Sequence, residues 1–104
     1  MKFSYYDLGE QPEGAIAEIR LTGSMPNVLL LDEANFARYR ADAPFVYVGG
    51  LQKRSPVHLE VPHAGHWFVV VDLGGFKGRV RGKVTVLAPD EIEASEAERE
   101  TVEA

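Results

Sequence analysis

Three histidines, His58, His63 and His66, fall within nine positions, and the chain contains no others. Imidazole is a common zinc ligand, so a turn that gathers these rings beside Glu60 or Asp72 would give a metal site. The spacing does not match a helical H-E-x-x-H motif, and the absence of cysteine removes both C-x-x-C partners and thiolate chemistry. The residues favour a plainer reading, in which turn and surface histidines hydrogen-bond carboxylates or backbone. A hydrolase would need Ser55 as nucleophile with one of these histidines as base. Ser55 precedes Pro56, however, and nothing resembles a nucleophile elbow or an oxyanion loop. No catalytic residue and no cofactor is assigned.

Two further groups of residues suit a binding surface. Gly49-Gly50 followed by Lys53-Arg54 suggests phosphate, but the Gly-Lys-Ser/Thr ending of a P-loop is missing and no helix follows to supply oriented amides. Glycines needing positive φ in a tight turn explain the pair more simply. Arg79, Arg81 and Lys83 recur at every second residue, so on an extended strand they project together as a basic row that suits an anion. Nucleic acid is disfavoured there, because no stacking aromatics interleave with the row.

These residues must be positioned by strands. Period-two alternation with Gly and Pro punctuation predicts strands near residues 2–6, 15–22, 27–31, 45–48, 56–61, 66–73 and 79–88. A short helix of one or two turns is expected within residues 32–40, capped by Asp32, with Phe36 and Tyr39 on one side. The connections are too short for parallel crossovers, which predicts an antiparallel, all-β sandwich. Within it, Pro62-His63-Ala64-Gly65 reads as the turn of a hairpin. Trp67, Val69, Val71 and Leu73 then face the core, while His66, Phe68, Val70 and Asp72 face outward with His58.

At 104 residues the chain has one domain's length. Its net charge of -5 is unevenly laid out. Residues 1–88 carry ten Lys/Arg against nine Asp/Glu, whereas 89–104 carry seven acids and only Arg99. The body, residues 1–88, is therefore a near-neutral β domain. Residues 89–104 are expected to form a frayed helix or a disordered acidic tail, with Ile92 and Val102 as their only large apolar anchors. No run reaches the roughly 20 apolar residues of a membrane span. Together with the lack of a signal-peptide core and of cysteine, this makes the cytoplasm the expected location.

Several stretches carry a resemblance: DLG at Asp7 to Gly9, NVLLLD at Asn27 to Asp32, Asn35-Phe36 with Tyr39, and YVGGL at Tyr47 to Leu51 with Ser55-Pro56. VPHAGHW at Val61 to Trp67 and the run from Val70 to Leu87 complete it. Together they resemble a small bacterial family, the domain-of-unknown-function family numbered eighteen-eighty-three, over about residues 1–88. The resemblance implies a jelly-roll or CUB-like sandwich, sometimes alone and sometimes joined to a TIR-type signalling domain, and brings no catalytic assignment. The combined expectation is a non-catalytic module, a sensor or adaptor, that binds a protein or small ligand. Its surface would draw on the loops Tyr47 to Ser55, with Gly49, Gly50, Lys53 and Arg54, and Pro62 to His66, with His63 and His66, and on Arg79, Arg81 and Lys83, with Tyr39 or Phe76 as aromatic neighbours of the loops. Exposed edge strands would offer a route to a homodimer.

Overall fold

The computed structural model describes residues 3–75 and 77–90. Phe76 and the acidic segment 91–104, with the expectations attached to them, lie outside the described residues. Among the described residues seven strands and one helix follow in the order β1 (Phe3–Gln11), β2 (Ile16–Gly23), β3 (Asn27–Asp32), α1 (Glu33–Arg40), β4 (Val48–Leu51), β5 (Val57–Glu60), β6 (Gly65–Asp72) and β7 (Val80–Leu87). They form two antiparallel sheets, one ordered β1-β6-β3-β4 and the other β5-β2-β7. The protein is an all-β sandwich.

The sheets face each other across the main core. Ala17 and Ile19 of β2 and Val57 and Leu59 of β5 pack against Val28 and Leu30 of β3 and Trp67, Val69 and Val71 of β6. Val80, Val84 and Val86 close it from β7, as the alternation there predicts. The hairpin expected around Pro62 to Gly65 is not formed. β5 pairs with β2 and β6 pairs with β1 and β3, so this turn carries the chain from one sheet to the other. Fully buried Val61 anchors the crossing: its N–H donates to the Ala15 carbonyl at 2.8 Å, and its carbonyl accepts from Gly14 at 2.9 Å.

The other face of β6, expected to be solvated, is covered as well. Phe68 and Val70 do not face water; with Leu29 and Leu31 of β3 they meet Phe36 of α1 in a separate core. Both central strands are therefore buried on both sides. This is why Val28–Leu31 and Trp67–Val71 are unbroken apolar runs rather than alternating ones. Phe36 stacks on Phe68 with ring centroids 4.3 Å apart and planes at 21°.

Helix α1 is held at both ends. The Asp32 carboxylate caps it, accepting from the Asn35 N–H at 2.9 Å. At the other end the Asp42 N–H reaches the Tyr39 carbonyl and the Ala43 N–H reaches Arg38, the bonds of a Schellman motif. Asp42, with φ of 57°, takes the left-handed conformation that glycine usually fills there. The Asn35 amide oxygen then accepts from the Val46 N–H at 2.8 Å and ties the following segment to the helix.

Candidate functional site

The three histidines do not converge. His58, on β5, meets Glu18 of β2 through Nε2 at 3.0 Å. His66, on β6, meets Asp7 of β1 at 2.6 Å, and His63 lies 3.6 Å from Asp32. Among the described residues no group of three or more His, Cys, Asp or Glu is placed to hold a metal ion. Each ring instead clamps local structure. The Gly9 N–H and the His66 ring hold the Asp7 carboxyl below the usual carboxylate range, beside the bulge between Asp7 and Gly9. The His58 contact does the same for Glu18, with Arg20 assisting. His63 lends its carbonyl to the Trp67 indole N–H at 3.0 Å and packs its ring against Trp67. The Ser55 hydroxyl accepts from the Leu21 N–H at 2.8 Å, standing in for a strand partner just before β5 begins.

The basic row is arranged as the spacing predicts. Arg81 and Lys83 alternate with inward residues on β7, Arg79 precedes them, and all three are exposed. None forms an ion pair with a described acid. Arg20 of β2 stands opposite Lys83 and extends the row. Arg79 and Arg81 line a groove of about 200 Å³ with Thr22 and Gly23. Lys53 and Arg54 are exposed in the link between β4 and β5, apart from any cavity described.

Gly49 and Gly50 lie inside strand β4, not in a turn, and the strand predicted at 45–48 is displaced to Val48–Leu51. Their positive φ values of 116° and 134° exclude most side chains. At Gly49 a Cβ would stand 2.1 Å from the Val28 carbonyl oxygen, so the glycine permits β4 to approach β3. Gly50 faces a cleft.

That cleft has a volume of about 310 Å³. Tyr39 at the end of α1, Phe45 and Tyr47 of the following segment, and Leu51 of β4 form its apolar walls. Tyr39 and Phe45 meet edge to face at 5.3 Å and 89°, and Phe45 and Tyr47 are inclined at 46°. Tyr47 and Leu51 are 47% and 62% exposed, an unusual condition for large apolar side chains set side by side at a cleft mouth. Asn27, Asp42 and Asp72 supply its polar groups.

Asp72 is only 5% exposed, and it is the one buried charged side chain of the described residues. Its Oδ2 accepts from the Tyr39 hydroxyl at 2.6 Å; its Oδ1 accepts from Asn27 Nδ2 at 3.0 Å and the Gly74 N–H at 2.9 Å. Burial and then the neighbouring carboxylate push the Tyr39 phenol well above its ordinary range, so Tyr39 remains a donor. Of the cleft residues, Tyr39, Tyr47 and Gly50 were expected from sequence. Phe45, Asp42 and the buried role of Asp72 were not. The available signal was an acid on the same strand face as Phe68 and Val70, which becomes legible once that face is known to be covered by α1.

The fold is an all-β sandwich with one helix covering the outer face of the larger sheet. Residues 1–90 match the model of the family described as Domain of unknown function (DUF1883), and the chain belongs to that family. No curated protein and no solved structure matches it.

Proposed function

We propose that this protein is a non-catalytic recognition module that takes a small ligand, or a projecting group of a partner protein, in the cleft between Tyr39, Phe45, Tyr47 and Leu51. The observation that carries this reading is the joining of exposed aromatic and aliphatic walls to a buried, hydrogen-bonded carboxylate in one recess. Binding sites commonly combine apolar walls with a few fixed polar groups, and about 310 Å³ lies at the small-ligand end of their range. Edge strand β4 forms one rim, which places a bound molecule where a partner could also read it. A sensor or adaptor role fits such a site and agrees with the family's occasional joining to TIR-type domains. The cytoplasm is the proposed setting; among the described residues no helix is long and apolar enough to cross a membrane.

A fragment screen read by amide NMR shifts tests the site. Hits should cluster on Gly50, Leu51 and Gly74 and weaken in Tyr47→Ala. Hits that gather elsewhere, or that ignore Tyr47→Ala, would refute it. A second reading has its own observation: the row of Arg79, Arg81 and Lys83, which forms no ion pair among the described residues, favours an anion, and inorganic phosphate shifting those amides in a salt-sensitive manner would support it.

A further inference from the structure

We propose that the ligand of this cleft is a small alkylammonium cation, its nitrogen held against the aromatic rings beside Asp42 and Asp72; this rests on the cleft being the recognition site.

Three independent features converge on positive charge. The first is Asp72, a buried carboxylate served by three neutral donors, with no Lys, Arg or His of the described residues within ion-pair distance. Buried charges are ordinarily paired, because taking an ion out of water costs several kcal/mol. Arg79 and Arg81 border another cavity that also touches Asp72, yet neither closes on it. Among the described residues one acceptor position on Oδ2 is free, since a carboxylate offers about four and three are used.

The second feature is Asp42. At the C′ position of α1 its left-handed backbone would suit glycine better, and the protein nevertheless places an acid there, in the cleft wall. The third is the wall itself. Tyr39, Phe45 and Tyr47 are inclined to one another rather than stacked parallel, and aromatic faces attract organic cations through their quadrupoles. Among the described residues no basic side chain lines the cleft to compete. A bare metal ion would gain little from the rings, whereas an alkylated nitrogen uses rings and carboxylates together.

The test titrates the full chain, at constant ionic strength, with choline, with dimethylbutanol, in which carbon replaces the charged nitrogen, and with calcium chloride. Choline should shift Gly50, Leu51 and Gly74 and bind at least roughly fivefold more tightly than dimethylbutanol, the size expected of a partly exposed cation–π contact. Asp42→Asn keeps a residue that tolerates the left-handed backbone but removes its charge. It should weaken choline roughly threefold and leave dimethylbutanol unchanged. Equal affinity of the two probes in the cleft would overturn the cation assignment while leaving the recognition site standing. Calcium binding there more strongly than choline would overturn it in favour of a metal site. No probe in the cleft would remove both proposals.

Discussion

Replacing Tyr39 by Phe removes one oxygen and leaves nearly everything else in place. The ring keeps its edge-on contacts with Phe3 at 5.1 Å and Phe45 at 5.3 Å, so packing loss is small. What disappears is the 2.6 Å bond to Asp72, leaving the buried carboxylate with Asn27 and Gly74 alone. A hydrogen bond to a charged group contributes about 1.5–3 kcal/mol, and its loss here strands an acceptor away from water, so Tyr39→Phe should cost about 2 kcal/mol. For a domain of this size the melting temperature should fall on the order of 10 °C. Urea denaturation followed by circular dichroism measures this directly. A cycle with Asp72→Ala, which removes the acceptor altogether, should return most of the loss as coupling, since either variant abolishes this bond. The pH dependence adds a second signature. Because the folded Tyr39 is held above its unfolded pKa, its contribution is complete below about pH 10 and declines above it as the unfolded chain ionises. Tyr39→Phe should lack that alkaline decline. A loss under about 0.5 kcal/mol with an unchanged alkaline limb would refute the buried Tyr39–Asp72 contact.

Other substitutions probe the scaffold around this contact. Phe36→Ala should cost about 3–5 kcal/mol by emptying the second core, and a cost under half of that by denaturation would mean α1 does not seal the sheet. Gly49→Ala should destabilise well beyond Gly50→Ala, because only the former drives a Cβ into the Val28 carbonyl; equal losses would show that β4 sits elsewhere. Asp42→Gly should leave stability unchanged or raise it by up to about 1 kcal/mol, relief of left-handed strain outweighing the added freedom of the unfolded chain. The same variant should weaken choline. Asp7, held low by Gly9 and His66, contributes stability above its unfolded pKa that fades as pH falls, so Asp7→Asn should flatten the acid limb of a stability–pH profile.

Much of the architecture could be read from the residues. Alternation on β7 gave its inward valines and outward Arg81 and Lys83, and Asp32 was recognisable as the cap of α1. The Pro62–Gly65 turn misled because its short length suits a hairpin equally well; only the pairing of β5 with β2 and of β6 with β1 and β3 shows that it changes sheets. His66 and Asp72 made the second face of β6 look solvated. Both are exceptions to that face: His66 lies near its end paired to Asp7, and Asp72 is buried with its own donors. The cleft was partly legible through Tyr39, Tyr47 and Gly50. Its remaining parts come from segments distant in sequence, α1, β3 and the end of β6, whose meeting depends on the two-sided burial of the central strands.

A crystal structure of the protein soaked with choline tests the central claim most directly. Density for the ligand is expected in the cleft, its nitrogen within about 6 Å of an aromatic ring centroid and adjacent to Asp72 or Asp42. Choline bound elsewhere, or a cleft left without it at saturating concentration, would contradict the account.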